Sequence, residues 1–160
     1  MSYFNSFNLT SYQPDLDNMV AVLESSEMVL VIGNGGSSTM SSHMAIDLLL
    51  LGKLSSSLTD PAVITALAND FSYEEIYSKQ ISLWPNGGVL IAISSSGISN
   101  NILNGVTAAM DKSYTVLTFS GLSEQNKLCK LGSINIYVKS NDYGIVESIH
   151  AVMLHYLINQ

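Results

Sequence analysis

Short apolar runs that end at glycine or serine recur along this chain, with amphipathic stretches between them. Met28–Gly33 (MVLVIG), Gly88–Ser94 (GVLIAIS), Tyr114–Gly121 (YTVLTFSG) and Ser133–Val138 (SINIYV) read as buried strands. Lys53–Thr59 (KLSSSLT) is a weaker fifth. Helical spacing marks Asp15–Glu27, Ser41–Gly52, Ser99–Lys112 and Ile145–Asn159, and Ala62–Trp84 holds two helices broken near Asn69–Ser72. The strands are apolar throughout rather than at every second position, as in a parallel sheet covered on both faces. Alternating strands and helices imply right-handed crossovers. The pattern therefore predicts an α/β fold, a three-layer αβα sandwich with a five-stranded parallel sheet of flavodoxin type. Residues 1–27 form an N-terminal helical segment and 28–160 the main domain, one structural unit overall. In such folds ligands bind beyond the carboxyl ends of the strands.

Composition narrows the partners. The chain carries a net charge of −7, and its six basic residues are all lysines. Nucleic-acid binding needs clustered cations and finds none here. An arginine clamp on phosphate is also excluded, so a bound phosphate must be held by backbone N–H groups and hydroxyls. No apolar run approaches the roughly 18 residues of a membrane span. The N-terminus lacks the basic start and apolar block of a signal peptide. Cys129, the single cysteine, cannot form an internal disulfide, and a reducing cytoplasm is the expected compartment.

Two loops at predicted strand ends carry the candidate chemistry. The first is Gly33–Ser38 (GNGGSS), and the second is Ser94–Asn101 (SSSGISNN). A Gly-rich turn feeding a helix presents free N–H groups to an anion, helped by the helix dipole. Ser94, Ser95, Ser96 and Ser99 add hydroxyl donors. The plain alternative is an ordinary strand-to-helix turn with serine as N-cap. Two such loops in an arginine-free chain favour the anion. Neither fits the nucleotide patterns GxxxxGK[ST] or GxGxxG. Further along, His43 and Asp47 lie four residues apart, on one helix face. Glu147, His150 and His155 share the last helical segment, where spacing alone would pair Glu147 with His150.

GNGGSS followed by His43 and Asp47, SSSGISNNI, and NDFSYEEIYSKQ together resemble the sugar-isomerase (SIS) domain family, most closely its phosphoheptose isomerases. The resemblance implies an aldose–ketose isomerase of sedoheptulose 7-phosphate type, working through a metal-stabilised enediolate. It implies that Ser94, Ser96 and Ser99 hold the sugar phosphate, with Asn34 and Ser37 touching sugar or phosphate, and Gly35, Gly36, Ser95 and Asp60 completing the substrate site. It also implies a zinc ion on His43, Asp47, Glu147 and His155, with Asp47 as catalytic base and His155 as catalytic acid. Glu147 and His155 stand eight residues apart, about 12 Å along an ideal helix, so sharing one metal needs reach, irregularity or two subunits. A homotetramer with sites near subunit interfaces is implied as well. Departures from the family pattern are specific. Asp47 stands for Glu, Glu147 for Gln and Ile145 for Arg, and an Arg-containing segment after the first helix is missing, leaving Lys53 as the only cation there. These losses leave open a non-catalytic SIS module that binds a phosphosugar or, like the replication-initiator-associating type, a protein.

Overall fold

The computed structural model describes residues 8–159, so the first seven residues of the predicted N-terminal segment lie outside it. Five parallel strands form one sheet in the order β2-β1-β3-β4-β5. These are β1 (Met28–Gly33), β2 (Leu54–Ser56), β3 (Val89–Ser94), β4 (Thr115–Gly121) and β5 (Ile134–Val138). The helices are α1 (Gln13–Glu24), α2 (Gly36–Leu50), α3 (Pro61–Asp70), α4 (Ile76–Leu83), α5 (Asn100–Asp111) and α6 (Tyr143–Ile158).

Successive residues of each central strand feed opposite cores, which explains their continuous apolarity. Val29 and Val31 of β1, with Ile91 and Ile93 of β3, pack under α1, α2 and α6 against Met19, Leu48 and Met153. Leu30 and Ile32, with Leu90 and Ala92, face the other way onto Tyr77 and Ile81 of α4 and Ile102 and Val106 of α5. Three layers result, as the pattern predicts. The Ala62–Trp84 stretch is indeed two helices, parted by a short 3-10 turn at Tyr73–Glu75.

Two boundaries differ from the sequence expectation. β2 shrinks to three residues at the sheet edge, where it has one neighbour only. Helix α2 begins at Gly36, five residues before the apolar periodicity. Its first turn is glycine and serine, which are poor helix formers, and Gly35 turns the chain into it at φ 54°. The strand order reverses between β1 and β3, so the loops after these two neighbours open a crevice at the sheet's carboxyl edge.

Candidate active site

Two of the helices close their first turns with an aspartate. Asp60 Oδ1 accepts the Val63 N–H at 3.0 Å on α3, and Asp142 Oδ1 accepts that of Ile145 at 3.1 Å on α6. The two helices entering the crevice have no side-chain cap, Gly35 leading α2 and Ser99 leading α5. The Ser38 N–H turns back to the Asn34 and Gly35 carbonyls and the Ile102 N–H to Ser99 and Asn101, which leaves the Gly36, Ser37, Asn100 and Asn101 N–H groups for a ligand. Between them lies a pocket lined by Asn34, Ser37, Ser94, Ser95, Ser96 and Ser99, with Tyr143 and Glu147 of α6 on its far wall. Ser95 is 5% exposed and its Oγ has no hydrogen-bond partner. A buried hydroxyl left unpaired is costly, and a ligand would satisfy it.

The pocket is braced at both loops. Asn34 Nδ2 donates to Asn101 Oδ1 at 2.9 Å, and Asn101 Nδ2 returns the bond to Asn34 Oδ1 at 2.8 Å. The Tyr73 hydroxyl donates to the same Asn34 oxygen at 3.3 Å. Below, the Tyr77 hydroxyl donates to the Gly33 carbonyl, and burial pushes its pKa up to about 12. Gly97, at φ 63°, lets the β3 loop turn tightly against Asn126. Tyr143, which lines the pocket, and Asn101, which braces it through Asn34, are residues that the sequence did not single out. Both are polar residues in helix first turns, where capping is the ordinary expectation, and nothing local separates a pocket group from a cap.

Helices α2 and α6 run side by side, and their contacts set the rest of the site. Glu147 lies over Gly36, whereas His155 meets His43 with ring centroids 5.0 Å apart and planes at 84°. His43 Nε2 is 3.5 Å from Asp47 Oδ2. One donor atom from each of His43, Asp47 and His155 falls within 4.8 Å of the others. They border a groove of about 100 Å³ whose remaining walls, including Met40, Met44 and Leu154, are mostly apolar. Two imidazoles and a carboxylate on a groove open to solvent suit zinc with one position left for substrate.

Glu147 does not join them. Its helix carries it eight residues, about 12 Å, from His155, and it stands in the serine pocket instead. Asp60 is likewise elsewhere, exposed and capping α3. His150 is buried against β4, with Nε2 3.2 Å from the Ser120 carbonyl and the Phe119 ring 5.7 Å away. It lines neither pocket.

The SIS domain model matches residues 15–121, which include β1, the first loop, His43, Asp47 and the whole serine loop. The chain belongs to the SIS domain family. Within it, a phosphoheptose isomerase from Shewanella denitrificans is 34% identical, over 92% of this chain and 80% of that protein. Among solved SIS structures, a phosphoheptose isomerase from Francisella tularensis superposes with a TM-score of 0.84 at 29% identity, covering 94% of this chain and 85% of that one. GmhA, a phosphoheptose isomerase from Neisseria gonorrhoeae, gives 0.82 at 26%, covering 94% and 84%.

Proposed function

We propose that this SIS protein is an aldose–ketose isomerase acting on an open-chain phosphorylated sugar of the heptose/heptulose 7-phosphate class. One observation carries the proposal. The uncapped serine pocket and the His43–Asp47–His155 cluster lie along the same pair of helices, and Ser37 and His43 stand about 9 Å apart along α2. That span suits a sugar chain with phosphate at one end and carbonyl at the other.

The phosphate rests on the hydroxyls of Ser94, Ser96 and Ser99, the Ser95 hydroxyl beneath, and the N–H groups of Gly35, Gly36 and Ser37. Asn34, fixed by Asn101 and Tyr73, orients the sugar at the turn between the loops. Asp47 takes the proton from the carbon beside the carbonyl and returns it to the neighbouring carbon. His155 carries a proton from one of the two oxygens to the other. Positioned proton transfers of this kind contribute about 10²–10⁴-fold each. His43, Asp47 and His155 are the residues that would hold zinc, which would stabilise negative charge developing on the substrate oxygens.

The cluster is open in the single chain, since His43 and His155 are both exposed. Beside it, α2 exposes Ile46, Leu49 and Leu50, the last at 79%. An apolar stripe of this size points to association, and a homotetramer covering the cluster completes the proposal. It would work in the reducing cytoplasm, where Cys129 stays a thiol.

The test combines elemental analysis with turnover of sedoheptulose 7-phosphate. His43→Ala and His155→Ala are expected to lose zinc and at least a hundredfold in kcat. The Ser96→Ala/Ser99→Ala pair should raise KM at least tenfold and leave zinc in place. Full turnover by His155→Ala, or an unchanged KM for the serine pair, would defeat the corresponding half of the proposal.

A further inference from the structure

The serine loop is gripped from behind by the segment that follows β4. The Gly121 N–H donates to the Ser95 carbonyl at 2.9 Å, and the Leu128 N–H donates to the Gly97 carbonyl at 3.0 Å. A trans peptide is planar, so its N–H points opposite to its C=O. With the Ser95 and Gly97 carbonyls turned towards β4, the N–H groups of Ser96 and Ile98 face the other way. β1 and β4 flank β3 on opposite sides, so these N–H groups face the β1 side, where Asn34 and Ser37 line the pocket. The Ile98 N–H accordingly donates to Ser96 Oγ, a pocket hydroxyl, at 3.5 Å.

One buried side chain shapes the segment that does the gripping. Asn126 is 2% exposed. Its Nδ2 donates to the Ser123 carbonyl at 2.7 Å, and also reaches Ser120 Oγ at 3.2 Å and the Gly121 carbonyl at 3.4 Å. Its Oδ1 accepts the Cys129 N–H at 2.9 Å. Ser120–Ser123 is where the segment leaves β4, and Cys129 follows Leu128 directly. Asn126 therefore ties together the two ends of the segment, and those ends carry the N–H groups that hold the serine loop. Only a side-chain amide gives and takes hydrogen bonds here at once; a carboxylate would turn a lone pair on the Ser123 carbonyl.

We propose that Asn126 is a positioning residue of the serine pocket. It fixes the segment after β4 against the back of the serine loop and so aims the Ser96 N–H at a bound phosphate. Asn126 does not line that pocket itself, and it acts through the backbone it holds. The inference rests on the pocket taking a phosphate, as proposed above.

The test is calorimetric titration of the full-length protein with sedoheptulose 7-phosphate, with amide proton spectra recorded along the titration. Asn126→Ala is expected to bind at least tenfold more weakly. At saturation its Ser96 amide proton should move downfield less than half as far as in wild type. Asn135→Ala is the control for general loosening. Asn135 also makes three side-chain hydrogen bonds, with Thr118 Oγ1 and with the N–H and carbonyl of Gly132, but at the amino end of β5. It should lose stability in urea and still bind within twofold of wild type. Asn126→Ser keeps one donor for the Ser123 carbonyl, stands in if the alanine variant does not fold, and should bind with intermediate affinity. Affinity within twofold of wild type in the Asn126 variants would overturn the proposal, as would equal weakening in Asn135→Ala or a Ser96 amide proton that ligand leaves unmoved in wild type. Wild type that binds no sugar phosphate would bring down the phosphate pocket itself, a failure distinguishable from unchanged affinity in variants of a protein that binds.

Discussion

Replacing Gly97 by alanine asks the loop after β3 for two concessions at once. The residue sits at φ 63°, a left-handed conformation that costs an L side chain about 1–2 kcal/mol. The new methyl would also fall 2.0 Å from Asn126 Oδ1 and 2.3 Å from its Cγ. Asn126 cannot step aside freely. It is 2% exposed, and its Nδ2 donates to Ser120 Oγ at 3.2 Å and to the Ser123 carbonyl at 2.7 Å. Its Oδ1 accepts the Cys129 N–H at 2.9 Å. Displacing it breaks three hydrogen bonds of about 1 kcal/mol each and strands buried partners, so the total reaches about 4–6 kcal/mol. Gly87 provides the control, because at φ 80° it has open space around its Cβ position. Gly87→Ala should cost only the conformational part, about 1–2 kcal/mol. Urea unfolding monitored by circular dichroism, with a common slope for both variants, reads the difference directly. Equal losses for Gly97→Ala and Gly87→Ala would refute the role given to Asn126.

Three further outcomes follow from the same structure. Burial pushes the His150 pKa down to about 4, so the folded protein keeps it neutral while the unfolded chain takes up a proton near 6.5. Stability from this group is complete above 6.5 and falls by about 3 kcal/mol as pH drops towards 4; His150→Phe should flatten that slope in chelator-treated protein, and an unaltered slope would contradict it. Leu50→Glu places a charge on the 79% exposed position of α2 and should shift sedimentation towards smaller species, whereas an unchanged sedimentation coefficient would remove α2 from any subunit interface. Asp142→Ala deletes the α6 cap and should cost about 1 kcal/mol in urea unfolding, with a cost near zero arguing against the cap.

The sheet was legible because each central strand feeds two cores and so appears as an unbroken apolar run. His43 and Asp47 were legible because four residues on a helix is a local relation. His155 was harder. Its meeting with His43 depends on the side-by-side packing of α2 and α6, which no spacing within either helix reveals. The same packing sets Glu147 in the serine pocket, whereas the family resemblance had grouped it with the metal residues. Asp60 illustrates the opposite case, since the Asp-Pro pair at the start of α3 is itself a cap signal and describes what the residue does there. The Asn34–Asn101 pair joins residues 67 positions apart and had no local signature at all.

A cradle of N–H and hydroxyl donors in a chain of net charge −7 also shapes how an anionic ligand arrives. At long range the molecule as a whole repels it, because no arginine and no pocket lysine projects a positive field outward. Attraction begins only at contact, where helix ends and hydroxyls act over a few ångströms. Added salt screens charges beyond about 8–10 Å and leaves contact-range hydrogen bonds largely intact. The encounter rate should therefore rise with ionic strength, the reverse of capture by a basic cleft. Such a protein collects its ligand best in a crowded, salty medium rather than in dilute buffer.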